Sequence, residues 1–173
     1  MLGVFRMLGM MTGNRLTIDN PAASTLDALI AGGVKGNPDI AAMASDDDRS
    51  ASVLVSNYHD SGQAGPEASI KLTIAGLPPG RVLVEHYRVD PLHSNSYEAW
   101  KKMGSPQSPT PEQYAELERA SQLQTLASPR GLMPQDGRVQ LEVSLPRHGV
   151  WRLRATRECD VSVVPLRARQ SAW

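Results

Sequence analysis

Four places along the 173-residue chain gather side chains that could do chemistry together. His93-Ser94-Asn95 sets an imidazole beside a hydroxyl, the residue types of a base and a nucleophile. Adjacent residues rarely meet in the geometry such a pair needs. The competing reading is that all three hydrogen-bond their own loop and cap a helix. His59-Asp60, following Asn57-Tyr58, could contribute to a polar rim. Asp46-Asp47-Asp48 masses carboxylates as a calcium loop does, yet the glycine and terminal glutamate of an EF-hand do not follow at the required spacing. A solvated tip is the simpler reading. Tyr97 and Trp100 lie three apart, a spacing that suits either stacking on a sugar or, more commonly, packing into a core.

The remaining reactive types are dispersed. His59, His86, His93 and His148 show no local metal-ligand spacing. Cys159 is the single cysteine, so neither an intrachain disulfide nor a zinc–thiolate cluster can form, and the thiol reads as a plain small residue. Most glutamates fall on alternating strand faces or helix surfaces, as solvated charge does. No metal and no cofactor are expected.

At 40% hydrophobic and 21% charged residues, the composition is that of a globular domain with a core. Eighteen basic residues balance eighteen acidic ones, which argues against nucleic acid or an anionic membrane as partner. No apolar run approaches the roughly 18 residues of a membrane-spanning helix. Residues 1–8 lack a basic leader and Arg6 interrupts their apolar run, so no signal peptide is expected and a cytoplasmic location is the default.

The elements that must position these residues are mainly strands. Residues 81–89 alternate, with Val82, Val84, His86 and Arg88 on one face and Leu83, Glu85, Tyr87 and Val89 on the other. Asp90-Pro91 ends that strand. Asn95 then caps a helix, Glu98 fits a capping-box variant, and Gly104 with Pro106 stops it. Thr110-Pro111-Glu112-Gln113 starts a second helix with a capping box. Its inward stripe is Tyr114, Leu117 and Ser121, or Leu117, Ala120 and Leu123. Residues 1–11 read as a helix whose apolar face is Val4, Leu8 and Met11, widened by Leu2, Phe5 and Met7. Residues 15–18 form a short strand, and residues 25–31 suit strand or helix. Residues 40–44 and 51–58 read as a hairpin, and residues 69–75 as a strand with Ile70, Leu72 and Ile74 on one face. Residues 128–137 read as a loop, and residues 139–145 and 150–155 as a last hairpin around Pro146-Arg147-His148-Gly149. Residues 157–173 are an edge strand or a disordered tail. Some seven or eight short strands joined by short turns make an antiparallel β-sandwich, with a leading helix and a two-helix insertion.

One stretch, YRVDPLHSNSYEAWKKMGSP at residues 87–106, resembles the accessory-domain signature of glycoside hydrolase family 39, which contains β-xylosidases and α-L-iduronidases. Further blocks agree in order: FRMLGMMTGNRL at residues 5–16, VLVSNYHD at 53–60, LTIAGLPPG at 72–80 and LEVSLPRHGVWRL at 141–153. The His-Ser-Asn step leans to the xylosidase side. The resemblance implies that residues 1–13 are the last helix of a missing catalytic barrel, that residues 14–156 are the accessory β-sandwich, and that residues 157–173 are a tail. It implies a retaining glycosidase that works with two glutamates. Its acid/base follows an asparagine, and no Asn-Glu pair occurs here, so neither catalytic role is transferred to any residue. A (β/α)₈ barrel takes about 250 residues, more than this chain has. The expected chain is therefore a non-catalytic accessory domain of a β-xylosidase-like enzyme. His93, Ser94, Asn95, Tyr97 and Trp100 are its candidates for the substrate rim. The implied partners are the catalytic barrel and xylo-oligosaccharide, with a homo-oligomer open through the leading helix. The alternatives are a free-standing carbohydrate-binding module, for which three tryptophans, four tyrosines and one phenylalanine are a thin supply, and a protein-interaction module.

Overall fold

Strands with one apolar edge to every second residue can only be satisfied by stacking those edges on one another, and this chain does so in two antiparallel sheets. A computed structural model describes residues 2–157. In chain order the elements are α1 (Leu2–Gly9), β1 (Asn14–Leu16), α2 (Leu26–Gly32), β2 (Asp39–Asp46), β3 (Ser50–Tyr58), β4 (Ala68–Ile74), β5 (Val82–Val89), α3 (Ser96–Lys102), α4 (Pro111–Ala120), β6 (Arg130–Leu132), β7 (Val139–Leu145) and β8 (Val150–Arg157). The larger sheet runs β1-β2-β3-β8-β5-β6, and the smaller pairs β4 with β7.

Register explains the core. Val53 faces Leu153 and Val55 faces Trp151 across β3 and β8, while Val84 faces Ala155 across β5 and β8. All of these point to the smaller sheet, where Ile70 faces Val143, Leu72 faces Leu141 and Ile74 faces Val139. Together they form one apolar cluster between the sheets. The outward residues of the smaller sheet, Ser69, Lys71 and Thr73 opposite Ser144, Glu142 and Gln140, are polar and exposed. The antiparallel sandwich expected from period-two patterning is thus the observed fold. His86 extends the inward row of β5. Its ring stacks on Trp151 with centroids 5.6 Å apart, and its Nδ1 accepts from Trp151 Nε1 at 3.2 Å. Burial, with Arg88 close by, pushes the His86 pKa below its ordinary value, so that acceptor lone pair stays available.

Several connections differ from the sequence reading. Residues 139–145 and 150–155 are strands, but not a hairpin: β7 lies in the smaller sheet, and β8 sits between β3 and β5 in the larger. Pro146 has no N–H to donate, and His148 adopts a left-handed φ of 62°. The turn instead bonds to the end of β3, His148 N to Asn57 O at 2.7 Å and Asn57 N to Gly149 O at 3.0 Å. The chain is thereby handed from one sheet to the other. Within residues 128–137, read as a loop, β6 pairs with β5 over Val82–Val84, a strand too short to show a period. Residues 25–31 resolve as helix, because Thr25 accepts from Ala28 N and caps it. In α4 the capping box forms as expected. Its inward stripe is Leu117, Ala120 and Leu123, with Tyr114 exposed.

The leading helix also differs. It packs through Gly3 and Met7, not through Val4, Leu8 and Met11. Met7 is 0% exposed, whereas Leu2, Phe5 and Leu8 are 54%, 65% and 38% exposed. α1 lies on the outer face of the larger sheet, opposite the smaller one. Gly3 touches Val89 of β5, and Met10 O accepts from Arg152 of β8 at 2.9 Å. Arg157 ends β8, and the rest of the expected tail, with Cys159, lies outside the described residues. Among the described residues no helix is long and apolar enough to cross a membrane.

Candidate functional site

The loop between β5 and α3 is built around Asp90, which is 4% exposed. Pro91 forbids the strand to continue, and the Asp90 carboxylate collects the donors that the turn frees. Its Oδ1 accepts from Leu92 N at 2.7 Å, His93 N at 2.8 Å and His93 Nδ1 at 2.9 Å. Arg88 Nη1 stands 3.5 Å from Oδ2, and Arg88 Nη2 donates to Ser144 O at 2.8 Å, which ties the loop to the smaller sheet.

The candidate rim residues divide by this geometry. Ser94 is buried at a left-handed φ of 51°, and its Oγ accepts from Gln124 N at 3.0 Å. The His93 imidazole turns to Asp90 instead, so imidazole and hydroxyl are committed to different partners. Asn95 Nδ2 donates to Asp90 O at 3.0 Å, while its Oδ1 accepts from Tyr97 N at 3.1 Å and Glu98 N at 3.3 Å. It caps α3 as expected. The capping-box variant does not: Glu98 Oε1 pairs with Lys101 Nζ at 2.6 Å. Tyr97 is 60% exposed, so the core reading fails for it. Tyr97 and Trp100 stack with centroids 5.7 Å apart, Lys101 Nζ stands 5.0 Å from the Tyr97 centroid, and Trp100 Nε1 donates to Pro106 O at 3.0 Å. A sugar stacking on Tyr97 would compete with Lys101 for the ring.

Between this loop, α3 and α4 runs a groove of about 310 Å³, whose walls include Ser94, Asn95, Glu98, Lys102, Glu116 and Gln124. It is the place among the described grooves where two glutamates share a wall. Leu92, at the loop tip beside it, is 82% exposed. The sequence reading took Asp90 only as the end of a strand. The sign of its second role was there in the Asp-Pro step followed by His93, since an aspartate opening a turn accepts from amides two and three residues on.

The other expected sites take other roles. His59 is buried, with Nε2 3.2 Å from Gly36 O and Nδ1 accepting from Ser61 N at 2.9 Å, so it braces a loop and forms no rim. Asp60 Oδ2 accepts from Val34 N at 2.9 Å. Asp47 accepts from Thr12 Oγ1 at 2.6 Å and from Arg49 N and Ser50 N at 2.9 and 2.7 Å. The Thr12 hydroxyl first, and these two amides after it, hold its carboxyl well below the usual range. Among the described residues no three or more His, Cys, Asp or Glu converge as a metal site would require.

The family described as glycosyl hydrolases family 39 matches residues 1–140. No curated protein matches the chain. Among solved structures, a family 39 enzyme from Xanthomonas axonopodis pv. citri superposes with a TM-score of 0.69 at 15% identity, covering 89% of this chain and 29% of that one. A monomeric β-xylosidase from Caulobacter crescentus gives 0.66 at 15% identity, covering 90% and 30%. A bacterial orthologue of human α-L-iduronidase gives 0.60 at 21% identity, covering 70% and 22%. At these identities the likeness is one of fold. The chain spans less than a third of the length of each of these structures.

Proposed function

The chain belongs to glycosyl hydrolase family 39, and from that membership we propose that it is the accessory β-sandwich of a β-xylosidase-like retaining enzyme, itself without a catalytic pair. One observation carries this reading: the folded body is two antiparallel sheets with their facing sides filled by side chains. Retaining hydrolysis needs two carboxyl groups about 5–5.5 Å apart across a bound sugar, one as nucleophile and one as acid/base. Glu98 and Glu116 line one groove. Glu98 is spent on Lys101 and Glu116 is exposed on α4.

In this proposal residues 1–13 are the terminal helix of the catalytic barrel and residues 14–156 the sandwich beside it. The outward apolar stripe Leu2, Phe5 and Leu8 supports a seam there, since an exposed apolar row of this kind favours a covering body. In the isolated chain the same stripe would serve self-association. The loop of His93, Ser94 and Asn95, with Tyr97 and Trp100 behind it, is the proposed contribution to the substrate rim. Its bracing by Asp90 supports that role, because a rim must hold its shape without substrate. Xylosides are the proposed substrate class of the whole enzyme, on the His-Ser-Asn step alone.

A free-standing carbohydrate-binding module would present aromatics on a sheet face. The open face of the smaller sheet presents Ser69, Lys71, Thr73, Gln140, Glu142 and Ser144. Titration with xylo-oligosaccharides, followed by tryptophan fluorescence, separates the two readings. The accessory reading expects no saturable change up to millimolar sugar. Saturable quenching or enhancement would favour the binding module and remove the need for a barrel.

A further inference from the structure

Residues 2–13 cross the outer face of the larger sheet from the end of β5 to the β2–β3 turn, and they are fastened mainly by polar contacts. At the start Gly3 lies so close to Val89 that a Cβ would come within 2.9 Å of its Cγ2. Arg6 Nη1 donates to Ser121 O and Gln122 Oε1, each at 3.2 Å. Met10 O accepts from Arg152 Nη2, and Thr12 Oγ1 donates to Asp47 Oδ2. At the far end a Cβ on Gly13 would meet Asp46 O at 1.9 Å, so backbone lies directly on backbone. Against these fastenings the segment buries one apolar side chain fully, Met7. Leu2 and Phe5 of α1 stay largely exposed, and Leu8, 38% exposed, only borders a groove beside Met43 and Ser45.

What lies beneath is costly to cover. Arg152 is 0% exposed and makes no ion pair within 4 Å among the described residues, with Glu85 attracting it only from farther off. Its guanidinium has Ser52 Oγ at 3.0 Å, Met10 O and the Tyr87 ring as partners, while Nε and Nη1 have none. Burial lowers its pKa from the ordinary arginine value. The buried Ser45 Oγ is also unpartnered, next to a groove of about 340 Å³ bounded by Leu8, Met11, Arg15 and Met43. Closing the segment therefore desolvates a charge and leaves donors unmatched, and opening it returns them to water.

We propose that residues 2–13 form a strap that opens from the larger sheet as a unit while the sandwich beneath stays folded. Met7 and the polar fastenings hold it shut, and the hydration of Arg152 and Ser45 favours the open form. It belongs to the low-stability end of the molecule. A body covering Leu2, Phe5 and Leu8 would bind the closed form better and shift the population towards it. That consequence rests on the seam reading, whereas the opening itself does not.

Amide hydrogen exchange on the whole chain tests the strap directly. The bonded amides of Met10 and Met11 are expected to exchange at one common rate, on the order of 100-fold faster than those in the middle of β3 and β8. Met7→Ala should speed them by roughly 30-fold or more and leave β3 and β8 unchanged. Three results would overturn the proposal: strap amides protected as well as those of β3, strap amides with no protection at all, or a Met7→Ala effect shared equally by the central strands. Failure of sugar-related assays would leave this outcome untouched, because exchange reads only the strap.

Discussion

Trp151→Ala is expected to lower the free energy of unfolding by about 3–5 kcal/mol, read as a fall in the urea midpoint at unchanged slope. Trp151 is 0% exposed and lies on β8, between Val55 on one side and Arg88 on the other. Its indole fills the space that both sheets share, so alanine removes apolar burial and leaves a cavity that flanking strands cannot close without losing register. It also strands His86 Nδ1, which accepts from the indole N–H. Trp151→Phe separates the two effects: it keeps most of the volume and loses the hydrogen bond, for about 1–2 kcal/mol. A loss below about 1 kcal/mol for the alanine variant would mean that the facing sides of the sheets are not packed as described.

The second large effect belongs to the loop. Asp90→Ala should cost about 2–4 kcal/mol, because it frees three donors and removes the carboxylate beside Arg88, whose side chain is only 15% exposed. The damage should be local. Amides of residues 92–98 should exchange faster while those of β3 keep their protection, since Leu92 N and His93 N lose their acceptor and a loosened turn shifts the Asp90 main-chain carbonyl that orients Asn95. Asp90→Asn, which keeps an acceptor oxygen and loses the charge, should recover part of the loss. If the alanine variant were as stable as the parent with residues 92–98 equally protected, the loop would not depend on Asp90, and the case for a preformed rim would go with it.

What the sequence shows of this fold is whatever depends on neighbours a few residues away. Thr110, Pro111 and Gln113 announce α4 because a capping box is made by those residues themselves. The period of Ile70, Leu72 and Ile74 states which face of β4 is buried. Neither signal names a partner. Pro146 to Gly149 reads as a hairpin turn because its composition is right, and only the bonds from Asn57 at the far end of β3 show that β8 changes sheet. The same limit explains α1. Its apolar residues surround the helix, so period alone chose Val4, Leu8 and Met11, while close approach to Val89 selected the face with Gly3. In the candidate site Asn95 was legible as a cap. Asp90 was hidden behind its role as strand terminator, and helical spacing alone did not show that Tyr97 stays 60% exposed.

In the proposed reading this sandwich has no hydrolytic pair of its own. The direct measurement is release of the aryl group from an aryl β-xyloside by the purified chain, alongside Glu98→Gln and Glu116→Gln. The expected result is release at the buffer rate for the parent and both variants. Release that rises in proportion to protein and disappears in either variant would place a catalytic carboxylate in the α3–α4 groove and contradict the reading.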